Sequence, residues 1–248
     1  MIYPHFSFPV EILHLLFIMN LQLQEISITF IVENFNPNIL NFDILFLTEV
    51  IPHDWQLATT PIHDDQEIII CFDNQVSMIV QENQISLAEF LLPSKSCRQL
   101  NLGKIAKNLI TKFPEIMISG ISITPNFYHS TNQNTTYHKS YWENKLFSQS
   151  WHKFNGHKML SAGFKIAYPY KTGQLILQVS QGFIQVEEQI LSAFFFTGNF
   201  DYRIFSTNLD SRAYHIQQIL ENLQPDIDKF QEFIRKKFSK SLTNNLAA

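Results

Sequence analysis

Three strand-like segments lie so close together along the chain that hairpins are the natural way to join them. Gln66–Phe72, Gln75–Val80 and Gln84–Phe90 are rich in apolar and β-branched residues, and two and three polar residues, respectively, separate them. A parallel connection needs about a dozen residues, whereas two or three are enough for a hairpin turn. The sequence therefore predicts an antiparallel sheet.

Helical patterns flank these strands. Asn36-Pro37 predicts a helix start, and the apolar residues from Ile39 to Leu47 predict a short amphipathic helix after it. A second amphipathic helix is predicted from Leu100 to Phe113, where Pro114 ends it. With the β-branched strand Glu25–Glu33 in front, these elements form a β-α-β-β-β-α unit.

The same order of elements is predicted a second time. The strands and the first helix of this second unit are Glu115–Thr124, helix Tyr141–Phe154, Met159–Tyr168, Gly173–Ser180, Phe183–Glu187 and Leu191–Phe205. A long C-terminal helix, Ser211–Lys240, follows with Ser211 as its N-cap and Pro225 as a kink or division.

An internal comparison supports a repeat. Gln75–Leu87 laid on Gln174–Val186 agrees in apolar class at most positions, although shared strand composition would also explain this agreement. The sequence thus predicts an α+β fold of two tandem related β-α-β-β-β-α units with antiparallel sheets and a long C-terminal helix.

Charge is distributed very unevenly along the chain. Residues 1–94 contain twelve carboxylates and no Lys or Arg, whereas residues 95–248 contain eighteen Lys and Arg against ten Asp and Glu. The two parts carry −12 and +8, which sum to the net charge of −4. We expect an acidic α+β unit at 19–114 and a basic α+β unit with the C-terminal helix at 115–248. Fields of opposite sign favour oriented docking of a charged partner or of a second copy.

The first residues do not resemble the units that follow. The apolar run Val10–Met19 is interrupted by Glu11 and His14 and is shorter than the ~20 residues of a membrane-spanning helix. Met1–Pro9 contains no Lys or Arg, which a secretory signal would need. We expect residues 1–18 to be a non-native or disordered extension and the native protein to begin at Met19. The chain has two cysteines, which are too few for a disulfide framework and lack metal-type spacing, so we expect a cytoplasmic location. We also expect no contact with a membrane.

The polar segment 125–140 is predicted to be an exposed loop that joins the two units. Histidine is a common metal ligand, so four residues in or just beyond this segment are candidate ligands: His129, His138, His152 and His157. None of their spacings is typical of a structural zinc site, and exposed histidines in a polar loop are the ordinary explanation. We therefore predict no cofactor and no metal.

No catalytic motif is present. The sequence lacks a phosphate-binding P-loop, a dinucleotide glycine pattern, a nucleophile elbow and a HExxH helix. The leading hypothesis is a non-catalytic protein-interaction or assembly component that binds another protein, or itself, through charge-complementary surfaces. The residues predicted to contribute are Asp54, Asp64, Asp65, Glu67, Arg235, Lys236 and Lys237.

Two other functions stay open. A small-ligand or metal-dependent enzyme would have its site between the two halves, near the four histidines. A nucleic-acid-binding accessory protein would use the lysine-bearing helices, but the net charge of −4 opposes binding to a polyanion.

Short segments of the chain resemble a known family. The segments at 36–40 (NPNIL), 50–58 (VIPHDWQLA) and 198–202 (GNFDY) look like those of a family found mainly in cyanobacteria that has no assigned activity. The resemblance covers about Leu21–Phe238. The order of elements is more distantly similar to a sporadically distributed bacterial family of two α+β halves, also without an assigned activity. Neither resemblance implies catalytic residues.

Overall fold

One antiparallel sheet of nine strands organises the part of the chain that the computed structural model describes. That part comprises residues 21–64, 66–91, 100–130, 153–154, 157–158, 163–186, 189–205 and 208–243. In chain order the strands are β1 (Gln22–Val32), β2 (Ile62–His63), β3 (Glu67–Cys71), β4 (Val76–Gln81), β5 (Gln84–Phe90), β6 (Ile118–Ser130), β7 (Lys153–Phe154), β8 (His157–Lys158), β9 (Gly163–Tyr170), β10 (Gly173–Val186) and β11 (Gln189–Arg203). Strands β7 and β8 form a separate pair.

The two halves of the chain, up to and after residue 114, share this one sheet. Its order is β2-β3-β4-β5-β1-β6-β11-β10-β9, and β1 pairs antiparallel with β6 at the centre, for example Ile28 with Ile123. On one side of this pair the order outward is β5-β4-β3, and on the other it is β11-β10-β9. The antiparallel pairing that the short connections predict is confirmed, and the halves are joined edge to edge.

The helices cover one face of the sheet. They are a 3-10 turn at Pro37–Leu40, α1 (Phe42–Leu47), α2 (Leu102–Lys112), α3 (Leu209–Glu221) and α4 (Leu223–Thr243). Alternate strand residues such as Ile28, Ile123 and Phe200 are buried beneath them. The ring of Phe230 on α4 lies 6.1 Å from that of Phe127 and 5.9 Å from that of Phe200, so α4 packs directly on β6 and β11.

Strand β6 corrects the predicted loop at 125–140. Residues 125–130 belong to β6, while residues 131–140 lie outside the described part of the chain. Phe127 is buried, whereas its neighbours Asn126 and Tyr128 lie on the other face and are half-buried. The sequence predicted a loop here because β6 carries polar residues on one face and few apolar residues on the other.

Strand β10 and the C-terminal helices also differ from the sequence prediction. Strand β10 continues through residues 181 and 182, where the sequence predicted a break between two strands. Gly182 has no side chain, and a Cβ at this position would lie only 2.9 Å from the Phe195 ring. The C-terminal helix divides at Asn222, and Pro225 lies in the first turn of α4, where no backbone donor is needed. The predicted cap Ser211 is wrong, since the Asn208 side chain accepts the hydrogen bond from the Asp210 N–H.

The second predicted helix, Tyr141–Phe154, falls almost wholly outside the described residues, and its last two positions form β7 instead. Residues 1–18 also lie outside them. None of the helices in the described part of the chain combines the length and the apolar character needed to cross a membrane.

Candidate functional site

The face of the sheet opposite the helices is polar at its centre. We call this the polar face and define it by Glu25, Thr29, Ser86, Ser122, Asn126, Gln174, Asn199 and Asp201, which alternate with buried apolar residues along their strands. Its side chains bond to one another across the strands. Ser122 Oγ lies 3.0 Å from Asp201 Oδ1 and 2.5 Å from Asn199 Oδ1, and Gln174 Nε2 donates to Asp201 Oδ2 at 3.2 Å.

Glu25 is a half-buried carboxylate of the polar face. Burial raises the pKa of Glu25 above its ordinary value of 4.5, and a hydrogen bond from the Asn126 side chain offsets part of that rise. Desolvation of a carboxylate without a full set of donors makes its charged form unfavourable in the folded state.

Replacement of Glu25 by Gln is expected to stabilise the fold at neutral pH. A raised folded-state pKa means that the folded protein holds this proton more tightly than the unfolded chain, so the contribution to stability is present below pH 4.5 and is lost as the pH rises. Urea unfolding at neutral pH and below pH 4.5 should therefore show a gain for the variant that disappears at low pH. Glu82→Gln, an exposed change in the β4–β5 turn, is the control. An equal effect of both variants at neutral pH would contradict this reading of Glu25.

A fully buried carboxylate connects α4 to the second half of the sheet. We call this group the Asp226 cluster, formed by Tyr170, Lys171, Tyr202 and Asp226. The Tyr170 hydroxyl donates to Asp226 Oδ1 at 2.7 Å, and the Tyr202 hydroxyl donates to Oδ2 at 2.5 Å. Lys171 Nζ lies 3.0 Å from Oδ1 and 2.7 Å from Oδ2.

The four residues of this cluster come from four different places in the fold. Tyr170 ends β9, Lys171 lies in the β9–β10 turn with a φ of 46°, Tyr202 is near the end of β11, and Asp226 is in the first turn of α4. Burial, together with the hydrogen bonds and negative charge of Asp226, raises the pKa of both tyrosines. The Asp226 carboxylate accepts hydrogen bonds from three side chains of the sheet and its turn, and it therefore holds α4 against the sheet.

Asp226 was not among the functional residues predicted from the sequence. A signal exists in retrospect, since Asp226 falls at the helical phase of Leu223, Ile227 and Phe230, all of which are buried. Glu89 gives a similar signal on β5, where it is in phase with the buried residues Ile85 and Leu87. Its carboxylate accepts from the backbone and side chain of Asn101 at the start of α2, at 2.8 Å and 3.2 Å.

The structure describes two of the four candidate metal-ligand histidines, and it places them on different sheets. His129 lies on β6 opposite Phe194 of β11, and His157 lies on β8. His138 and His152 are outside the described residues. Among the described residues, no group of three or more His, Cys, Asp and Glu side chains is placed to hold a metal ion.

Three of the predicted acidic contacts, Asp54, Asp64 and Glu67, lie at the β2 end of the sheet, and two of them have local structural roles. Asp54 is exposed in a turn, and Asp65 is outside the described residues. Asp64 is exposed, and its carboxylate accepts from the backbone N–H groups of Gln66 and Glu67, which lowers its pKa. The Glu67 carboxylate accepts from Gln81 Nε2 at 2.7 Å.

The predicted basic contacts, Arg235, Lys236 and Lys237, are exposed on α4. Lys236 pairs with Glu232 at 2.6 Å, and Lys237 Nζ lies 5.9 Å from the centre of the Phe233 ring. The Phe233 ring packs against Tyr168 of β9, so these cations lie over the β9 end of the sheet. Strand β3, which carries Glu67, and strand β10, which is next to β9, are six positions apart in the sheet. At about 4.8 Å per strand, roughly 30 Å separates these two strands.

Comparison with known proteins adds no assignment. No family model matches the chain, and no curated protein matches it.

Proposed function

We propose that this protein is a non-catalytic interaction or assembly component of the cytoplasm that binds a basic protein surface through its acidic end. The proposal rests on the uneven distribution of charge along the chain, in which residues 1–94 contain twelve carboxylates and no Lys or Arg, whereas Arg235, Lys236 and Lys237 lie on the C-terminal helix α4. Among the described residues of the first half, seven carboxylates are exposed, and we call them the acidic surface: Glu33, Asp43, Glu49, Asp54, Asp64, Asp73 and Glu82.

The ion pairs of the described residues support this proposal. His53 pairs with Glu49 within the first half, and Lys171–Asp226 and Lys236–Glu232 lie within the second half. None of these three pairs joins the acidic surface to the cations of the second half. Exposed charges of one sign would orient an approaching partner of opposite charge and raise its association rate.

The end of the β10–β11 hairpin offers an apolar contact as well. Phe183 is 68% exposed and Ile190 is 73% exposed. Phe183 is paired with Ser192, two residues from Ile190, so the two side chains are diagonal neighbours on one face of the hairpin. Exposed apolar groups beside polar surface are a common feature of protein-contact sites.

We also propose that the two halves are tandem related units. The strand order outward from the centre, β1-β5-β4-β3 and β6-β11-β10-β9, is the same in both. The internal comparison of the sequence lays β4 on the first part of β10, and these strands occupy corresponding places on the two sides of the sheet. It also lays the start of β5 on the end of β10, although the counterpart of β5 in the strand order is β11. Duplication of one unit would explain why the same order of strands occurs in both halves, although the two halves differ in charge.

Removal of charge from the acidic surface tests the proposed function. The full chain would be tagged and used to capture proteins from its native cytoplasm at low and at moderate ionic strength, with identification by mass spectrometry. The variant Asp54→Asn/Asp73→Asn/Glu82→Gln removes three exposed carboxylates. We expect it to lose a basic partner that the unchanged protein retains at low salt and releases at moderate salt.

A matched variant controls for net charge. Glu115→Gln/Asp228→Asn/Glu232→Gln removes three exposed carboxylates from the second half and should retain the partner. Capture that is insensitive to salt, or equal loss with both variants, would contradict binding through the acidic surface. Retention of the unchanged protein on heparin at physiological salt would favour the nucleic-acid hypothesis instead.

A further inference from the structure

A surface cavity of about 380 Å³ lies between α2 and α3, where helices from the two halves of the chain meet. Its apolar wall consists of Ile110 and Pro114 from the first half and Ala213 and Leu220 from the second. Ligand cavities commonly measure 300–1,000 Å³ and occur where two structural units meet. A volume of this size suits a small organic molecule.

The polar wall of the cavity carries a single kind of charge. Its polar residues are Lys107, Thr111 and Gln217, of which only Lys107 is ionic. The Thr111 hydroxyl donates to the Lys107 carbonyl oxygen at 2.8 Å, and Gln217 Nε2 donates to Glu221 Oε1 at 3.1 Å. The Thr111 hydroxyl donor and one of the two Gln217 N–H donors are therefore engaged locally, and Lys107 is the one cationic residue of the described lining.

Lys107 supplies the positive charge that an anion would need in this cavity. Ile110, Thr111 and Pro114 lie in or just beyond the last turn of α2, where the negative end of the helix dipole opposes an anion, so the ammonium group of Lys107 must offset that repulsion. One ammonium group matches one negative charge, whereas phosphate groups are usually held by several cations or by free backbone N–H groups.

We infer that this cavity is a binding site for a monocarboxylic acid with an aromatic or branched apolar body. The apolar body would contact Ile110, Pro114 and Leu220, and removal of that surface from water would favour binding. The carboxylate would accept hydrogen bonds from Lys107. This inference does not depend on the proposed protein partner, because the acidic surface lies on other elements.

Titration of the full-length protein with naphthalene-1-carboxylate, followed by ligand fluorescence and calorimetry, tests the site. We expect saturable binding at one site per chain. The neutral analogue naphthalene-1-carboxamide should bind at least about tenfold more weakly, since it lacks the charge that strengthens the hydrogen bond to Lys107. Equal affinity for the two compounds, or no binding of the carboxylate, would overturn the inference.

Three variants locate the binding. Lys107→Met keeps the aliphatic stem and should weaken carboxylate binding at least about tenfold. Ala213→Phe should abolish binding by filling the cavity, and because Ala213 is exposed, the fold should tolerate the larger side chain. Lys104→Met, an exposed change on the same helix outside the cavity lining, should bind like the unchanged protein.

Circular dichroism and thermal unfolding would confirm that each variant is folded. Unchanged affinity in both Lys107→Met and Ala213→Phe would overturn the assignment of the site. Should Ala213→Phe fail to fold, Ala213→Leu and the comparison of Lys107→Met with Lys104→Met still decide the question. A loss with Lys104→Met equal to that with Lys107→Met would show that binding depends on general surface charge and would also count against the site.

Discussion

Replacement of Asp226 by Ala is expected to lower the free energy of unfolding by about 3 kcal/mol. The change removes the acceptor for Tyr170, Tyr202 and Lys171 at once. Tyr202 is 2% exposed, so its hydroxyl would remain buried without its bond to Asp226. The Lys171 side chain is 35% exposed and can turn toward water, which places the loss at the lower end of the range for a broken buried ion pair.

Urea unfolding monitored by circular dichroism measures this effect. Asp228→Ala is the matched control, because Asp228 is on the same helix but exposed, and an exposed change of this kind usually alters stability by no more than about 0.5 kcal/mol. Asp226→Asn should lie between the two, since it keeps the size of the side chain and loses the charge. A loss with Asp226→Ala no larger than that with Asp228→Ala would show that the cluster does not anchor α4.

Replacement of Gly173 by Ala is expected to cost at least about 3 kcal/mol, the upper end of the usual range for overpacking. A Cβ at position 173 would lie 1.8 Å from the carbonyl oxygen of Asp201, which is far inside any permitted contact. The obstacle is backbone, so the β10–β11 ladder must shift to relieve it. The shift would also displace Lys171 and Tyr202, which belong to the Asp226 cluster.

This coupling can be measured. The double variant Gly173→Ala/Asp226→Ala should lose less stability than the sum of the two single variants, because both disturb the same cluster. Gly103→Ala is the control for adding a methyl group. Its Cβ would lie 3.3 Å from Leu223 Cδ2, a flexible side-chain end, and Ala is favoured over Gly in a helix by about 1 kcal/mol. Stability of Gly173→Ala equal to that of Gly103→Ala would contradict the predicted clash.

The sequence predicted the local elements of the first half closely. The strand predicted at Gln84–Phe90 has the bounds of β5, and the predictions at Gln66–Phe72 and Gln75–Val80 differ from β3 and β4 by one residue at each end. Short polar turns limit these strands, and alternating apolar residues mark their buried face, so neighbouring residues contain the necessary information. In the second half the strand limits were less accurate, because β6 carries many polar side chains on one face.

The Asp226 cluster and the cavity could not be predicted from the sequence. The separation of charge could be read from the chain, but Asp226 meets Tyr202 and Tyr170 across 24 and 56 residues. The cavity between α2 and α3 likewise joins residues about one hundred positions apart, from Lys107 to Gln217. No spacing pattern predicts such meetings.

The sequence by itself determined the antiparallel hairpins, the helices between them and the acidic and basic character of the two halves. These follow from side-chain periodicity, turn residues and charge counts, all of which are local properties. Only the tertiary structure decided that β1 pairs with β6 to make one continuous sheet, that every described helix lies on the same face, and that Asp226 is buried among its donors. Those features depend on which apolar surfaces pack together over the whole chain, and the free energy of that packing is a non-local property of the fold.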